Sequence, residues 1–415
     1  MATLEEYLSQ ATAPGPDRQL TGCVVMAANK DGIAYSKSFG SMSVDPTSHL
    51  YSEPLTPDTT MWIASNTKLM TAISALQCVE RGLLSLDDDV SNILEEWKAP
   101  EILVGFEDDT GKPIVQKAKN KITLRLLLTH QSGLGYDFLQ PQLTRFSKYM
   151  EANGKAGIQP IPKMYLFPLL HEPGTSWSYG VGLDWVGQMI ERVTNQTLGA
   201  YMEANIWKPL GMTSTTFRIQ ERSDIKSRRA DMSMRIADGT LIPSPTRFVS
   251  DDLPDDHGGG GLFSCAADYM KLLVSVLKND GTLLTSSSME ALFMPCLFPD
   301  GIKALRDNRA AIYKGFREGK IGSKAEKKVI QPYEMNHALG GQISERDWTN
   351  GRKAGSMNWS GLPNLSWFID RKSGIALLYS SQLLPSSDHV TRVAFERFEY
   401  AVYNGELGDI GSLGS

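Results

Sequence analysis

Ser65 and Lys68 stand three residues apart in Ala64-Ser65-Asn66-Thr67-Lys68, where an apolar stretch from Met61 to Ala64 gives way to a helical pattern. On a helix that spacing puts hydroxyl and amine on one face, within hydrogen-bond reach. A serine hydroxyl becomes a useful nucleophile only when a neighbouring base takes its proton. Lysine can be that base only in its neutral form, which burial at the root of an apolar helix favours. The alternative is a Lys68 that keeps its charge and favours the anionic form of a nearby tyrosine. A helix mouth also offers unpaired N–H groups and the positive end of the dipole, both suited to an oxyanion. The chemistry open to such a pair is acyl transfer through a covalent serine ester.

Alone, Ser-x-x-Lys is common by chance, as a capping serine followed by a solvated lysine. Two further segments keep it company. His171-Glu172-Pro173-Gly174-Thr175-Ser176-Trp177-Ser178-Tyr179-Gly180 is a turn-rich approach to a tyrosine, with a helical pattern from Leu183. Gly355-Ser356-Met357-Asn358-Trp359-Ser360-Gly361 immediately precedes a strand-like run. Other chemistries lack their signatures. There is no HExxH for zinc and no GxSxG elbow, and the run Gly258 to Gly261 is not embedded in a phosphate-loop pattern. Those glycines read as close backbone packing beside the site. His130 invites a Ser-His-Asp arrangement, but it reads as a structural histidine of the turn Thr129-His130-Gln131-Ser132-Gly133. Asp184 and Trp185 read as helix-start and core residues. Tyr136 and Phe138 either line an acyl pocket or cover core.

The elements that must position these residues follow from periodicity. Thr21 to Ala28 and Ile33 to Phe39 flank the turn Asn29-Lys30-Asp31-Gly32, a β-hairpin signal. Near the other end, Leu365 to Ile369 and Ile375 to Tyr379 are strand-like, and His389 to Tyr403 is helical. One sheet closed by both ends of the chain is the expectation. The middle is mostly helical. Leu69, Ile73, Leu76 and Val79 recur at the helix period and Gly82 stops them. Leu124 to Leu128, the Trp185-Met189-Val193 stripe, Tyr201 to Trp207 and Tyr269 to Leu277 give further helices. There is no internal repeat.

Composition sets the outer bounds. A chain of 415 residues, 41% hydrophobic and 21% charged, reads as globular with a large core. The net charge of −5 gives no bulk attraction to nucleic acid or to an anionic membrane. No apolar run approaches the ~18 residues of a membrane span. The first twenty residues lack a basic start and an apolar h-region, so a cytoplasmic location is expected. Cys23, Cys78, Cys265 and Cys296 are scattered without metal spacing and read as buried thiols. Residues 303–328 hold nine Lys or Arg against three Asp or Glu, which reads as an exposed loop or insertion. A sharper reading makes it a docking surface for an acidic acyl carrier protein, with Lys324, Lys327 and Lys328 as the contacts.

The order of these motifs carries a resemblance. Ser-x-x-Lys, then Leu127-Leu128-Thr129-His130-x-Ser132-Gly133-Leu134, then Pro173-Gly174 with Tyr179, then a Gly-containing strand, resembles class C β-lactamases, DD-peptidases and family VIII carboxylesterases. The chain is also similar to fungal polyketide acyltransferases of the lovastatin-acyltransferase kind. That likeness rests on Ala75 to Leu83, Tyr179-Gly180-x-x-Leu183-Asp184-Trp185, Pro209-Leu210-Gly211, Arg228 to Asp231 and Gly258 to Ser264. It covers roughly residues 20–405.

The resemblance implies an α/β fold of the β-lactamase/transpeptidase-like type, an antiparallel sheet flanked by helices with an inserted helical domain. Residues 1–62 plus 258–415 would form the sheet domain and 63–257 the insertion, with the active site at the junction. Ser65 would be acylated, Lys68 would activate it, and Tyr179 would exchange protons with the incoming alcohol or water. The oxyanion hole would combine the Ser65 N–H with one near Leu362, beside Gly361. No cofactor or metal is implied. Two departures are informative. Val181 stands where β-lactamases carry Asn, and Trp359-Ser360-Gly361 replaces Lys-Thr-Gly. Without that lysine, a free carboxylate beside the scissile carbonyl lacks a partner on the strand. A neutral ester or thioester is then the expected substrate. The first expectation is transfer from a thioester donor to a hydroxyl of a bulky apolar metabolite. Ester hydrolysis by the same residues is the alternative.

Overall fold

A computed structural model describes residues 2–154, 157–246, 249–318, 334–408 and 410. Its centre is a seven-stranded antiparallel sheet built from the two ends of the chain. The strands are β1 (Gly22–Asn29), β2 (Gly32–Gly40), β3 (Met335–His337), β4 (Gln342–Ser344), β5 (Met357–Gly361), β6 (Leu365–Asp370) and β7 (Ile375–Ser380), in the order β2-β1-β7-β6-β5-β4-β3. β1 lies against β7 with Val24 opposite Ser380 and Ala28 opposite Ala376, so the chain ends close one sheet as expected. The Asn29 side chain accepts the N–H groups of Asp31 and Gly32, which fixes the hairpin turn.

Both faces of the sheet are covered, and β1 shows why its sequence is apolar without interruption. Cys23, Val25 and Ala27 join a core with α1 (Leu4–Thr12) and the C-terminal helix α6 (His389–Tyr403). Val24, Met26 and Ala28 face the other way, into the larger core that holds α2 (Thr67–Glu80), α3 (Gly182–Thr194) and α4 (Ala266–Lys278). A strand buried on both faces needs apolar side chains at every position. The same logic applies to α2, which is buried at every position from Thr67 to Cys78. A helix buried all round is a core helix, and Lys68 is carried into the interior with it. Gly82, at φ +68°, ends the turn beyond it.

Several elements differ from the sequence expectation. The stretch Tyr201 to Trp207 is not one regular helix: Leu198–Met202 widens into a π-turn over Glu203–Trp207. The basic segment was expected to be a loop, yet its first part belongs to a long helix, α5 (Pro299–Glu318). Leu305 is buried on its inner face, Lys303 pairs with Asp307, and Arg306 bonds Glu345, so a charged sequence still has one face to bury. Residues 319–328 of that segment, with Lys324, Lys327 and Lys328, lie outside the described residues. Cys23, Cys78 and Cys265 are buried thiols, whereas Cys296 is only half-buried. The hairpin of Glu101–Phe106 with Pro113–Lys117 and the helix Pro141–Ala152 have largely exposed faces and little apolar periodicity to announce them. No described helix is long and apolar enough to cross a membrane.

Candidate active site

Ser65 sits in a single tight turn, Ala64–Asn66, between the short strand Thr60–Trp62 and α2. Ala64 has φ +45°, a left-handed conformation that costs a non-glycine residue energy and is held only where surroundings dictate it. The surroundings here are specific. Thr67 Oγ1 donates to the Ala64 carbonyl at 2.7 Å and accepts the Leu262 N–H at 3.2 Å. Tyr269 Oη donates to the Asn66 carbonyl at 2.9 Å. One turn along, Lys68 is 4% exposed and its Nζ lies 3.2 Å from Ser65 Oγ. It also contacts Tyr136 Oη at 3.1 Å and the Gly259 carbonyl at 2.5 Å. Tyr179 Oη is 2.6 Å from Ser65 Oγ, and its ring lies 4.8 Å from Lys68 Nζ. The three residues singled out by sequence are therefore in mutual contact.

Tyr136 and Tyr179 arrive from two turns pressed backbone to backbone. Ser178 donates its N–H to the His130 carbonyl at 2.9 Å, and Tyr136 donates its own to the Tyr179 carbonyl at 3.3 Å. A Cβ on Gly180 would fall 2.3 Å from the Leu134 carbonyl oxygen, so only glycine allows this approach. His130, at φ +59°, accepts the Gly180 N–H on Nδ1 at 3.4 Å and meets the Tyr179 ring edge-on at 4.8 Å. Burial, then His337 and Lys68, hold its imidazole well below the usual basicity, so it is neutral. It supports Tyr179 and has no contact with Ser65. Burial, then the Asp184 carboxylate and Tyr179 and Tyr165, hold the Tyr136 phenol well above its usual range. Tyr136 is thus a neutral phenol on the lysine. Phe138 covers no core: it is 64% exposed and lies against the Tyr136 ring at 5.0 Å.

The end of β5 closes the other side. A Cβ on Gly361 would sit 2.6 Å from the Ile63 carbonyl oxygen, which brings the strand end against the turn that carries Ser65. Leu362 follows directly and is half-buried. Trp359 packs on Tyr179 at 5.4 Å, on His337 at 5.3 Å and parallel to His130 at 6.2 Å. The Arg309 guanidinium of α5 lies 5.6 Å from the Trp359 ring. Val181 is fully buried core.

Two residues escaped their proper place in the sequence reading. His337 carries no motif and is buried in the aromatic cluster of Trp177, Trp359 and His130. Asp184 reads as a helix start, and it does lie in the first turn of α3, but its carboxylate accepts the Gly259 N–H at 2.9 Å. An aspartate on an otherwise buried helix turn was the available signal.

A hydroxyl held between an amine and a phenol can take an acyl group and surrender it to a second hydroxyl or to water. Comparison with known proteins leads to the same class: residues 4–401 match the Beta-lactamase family, and the chain belongs to it. It is an enzyme of the acyltransferase and esterase kind within that family. It is 38% identical over 392 residues to the monacolin J acid methylbutanoyltransferase of Aspergillus terreus, covering 93% of this chain and 92% of that one. The lovastatin esterase of Penicillium rubens is 33% identical over 389 residues, covering 93% and 94%. Among solved structures, unliganded simvastatin synthase from Aspergillus terreus superposes with a TM-score of 0.84 at 36% identity, over 97% of this chain and 98% of that one. The β-lactamase/transpeptidase-like fold expected from the motifs is the fold observed.

Proposed function

We propose that this enzyme is a transesterase that moves an acyl group from a thioester through Ser65 onto a hydroxyl of a bulky, polyketide-like small molecule. The observation that carries this reading is Ser65 Oγ lying 3.2 Å from Lys68 Nζ and 2.6 Å from Tyr179 Oη in a chain so similar to acyltransferases. In the first half-reaction Ser65 Oγ attacks the thioester carbonyl and its proton passes to Lys68. A neutral Lys68 that donates to Gly259 O and Tyr136 Oη has its lone pair left for that proton. The tetrahedral oxyanion rests on the backbone N–H groups of Ser65 and Leu362, and loss of one such donor costs about 3–4 kcal/mol. The C–S bond breaks, and the sulfur takes the proton now held by Lys68 and leaves as the thiol. In the second half-reaction the acceptor hydroxyl attacks the Ser65 ester and gives its proton to Tyr179, as Tyr179 passes its own proton to the departing Ser65 Oγ and frees the serine. Such a cycle is ping-pong.

In this proposal residues 63–257 form a helical insertion in the sheet domain, the donor rides on an acyl carrier protein, and the enzyme works in the cytoplasm. Hydrolysis is the second reading, favoured by the likeness to lovastatin esterase and by Trp359-Ser360-Gly361. Product analysis with a short acyl thioester, with and without an alcohol acceptor, separates the two. Transfer predicts ester formed at the expense of free acid once acceptor is present, and a mass increase on the Ser65 peptide that Ser65→Ala abolishes. Free acid alone under both conditions selects the esterase. An unmodified Ser65 in a turning-over enzyme removes both.

A further inference from the structure

The Gly259 carbonyl that binds Lys68 follows, one α-carbon on, the Gly258–Gly259 peptide, which is itself held from behind. Asp184, only 2% exposed, accepts its N–H through Oδ1 at 2.9 Å. The carbonyl of that same peptide, Gly258 O, accepts Thr71 Oγ1 of α2 at 2.7 Å. A Cβ on Gly258 would meet the Leu183 carbonyl oxygen at 2.6 Å, and one on Gly259 would meet Asp184 Oδ2 at 2.3 Å. The two peptides are therefore clamped between α2 and α3, with the Asp184 carboxylate on one side and the Lys68 amine on the other.

From this juxtaposition we infer that Asp184 is a positioning residue for acyl transfer, fixing the Gly258–Gly259 peptide so that the Gly259 carbonyl beyond it aims the Lys68 amine at Ser65. The inference rests on Ser65 and Lys68 acting as nucleophile and base. An amine on a four-carbon stem turns freely unless its hydrogen bonds are dictated. Gly259 O takes one direction and Tyr136 Oη a second, leaving the third for Ser65 Oγ. A peptide held at both its N–H, by Asp184, and its carbonyl, by Thr71, leaves the Gly259 α-carbon and the carbonyl beyond it little freedom to turn. Burying a carboxylate is expensive unless it is well bonded. His257 Nδ1 stands 3.7 Å away, too far for a hydrogen bond, so the Gly259 N–H is the direct contact that counts.

A purely structural Asp184 would alter how many chains fold. A positioning Asp184 alters how fast each folded chain reacts. Burst kinetics with p-nitrophenyl butyrate on the full-length protein separate these, because burst amplitude counts competent chains and burst rate reads acylation. Asp184→Ala should slow the burst about 100-fold at near-parent amplitude, as small misplacements of a catalytic group do. Asp184→Asn still offers an acceptor without the charge and should lose about tenfold or less. Substrate affinity should stay within about twofold in both. Parent burst rates per competent chain in both variants would overturn the inference. If the alanine variant fails to fold, the asparagine variant decides: a slower burst at full amplitude supports the inference, and an unchanged rate ends it. Failure of the underlying reading looks different, since the parent itself would then show no burst and no Ser65 adduct.

Discussion

Lys68 depends on groups that do not come from its own helix. Ser65 and Lys68 were legible from their spacing, because the helix period alone brings them together. Tyr136 was not: an aromatic after a turn reads equally well as pocket lining or core cover. Its hydroxyl matters through its 3.1 Å contact with Lys68 Nζ, and only the packing of two turns creates that contact. Tyr136→Phe keeps the ring and removes the oxygen. A hydrogen bond between neutral groups contributes about 0.5–1.5 kcal/mol, so kcat should fall roughly 2- to 10-fold with KM little changed. Steady-state kinetics with a p-nitrophenyl ester reads the split, and a rise in KM alone would make Tyr136 a binding residue only.

Between elements, the decisive contacts are backbone against backbone. The turn 132–135 and the Tyr179-Gly180 pair touch where a side chain would not fit, and this holds Tyr179 over Ser65. Gly180→Ala places a Cβ 2.3 Å from the Leu134 carbonyl oxygen, which cannot move aside as a flexible side chain would. Overpacking of this sort costs about 1–3 kcal/mol, so the variant should melt earlier and acylate slowly. Gly260→Ala is the contrast, since its nearest neighbour would be the Ala64 carbonyl carbon at 3.7 Å, an ordinary contact. Its stability should stay within about 0.5 kcal/mol of the parent. Equal melting temperatures for the two variants would show that the Gly180 approach can relax. The glycines were visible in the sequence, but which of them are compulsory was not, because that depends on what faces each one.

Across the whole molecule, the aromatic cluster beside Tyr179 contains two neutral, buried histidines. His130 and His337 are 2% and 3% exposed. Burial, opposed by the Ala338 carbonyl and aided by Arg309 and Lys68, brings His337 down to about 3, and His130 is likewise depressed. Below about pH 6.5 the unfolded chain protonates these imidazoles while the folded chain does not. The unfolded state then binds more protons, so stability is lost as the pH is lowered, by up to about 1.4 kcal/mol per unit for His337. Above that pH neither histidine contributes. Thermal melts between about pH 7.5 and 5 should decline in the parent and decline less in His337→Gln. Parallel curves would show that His337 has no part in the acid sensitivity.

The sequence by itself determined the Ser65–Lys68 pairing, the strands at both ends, the buried central helix and, through the order of its motifs, the family. These follow from local spacing and periodicity, which a linear chain records directly. Tertiary structure decided what Lys68 touches beyond its own turn, which glycines are irreplaceable, why a basic stretch becomes a helix, and that Asp184 stands behind Gly259. Each of those depends on residues far apart in the chain meeting at a few ångströms, and no local pattern encodes the identity of a distant neighbour.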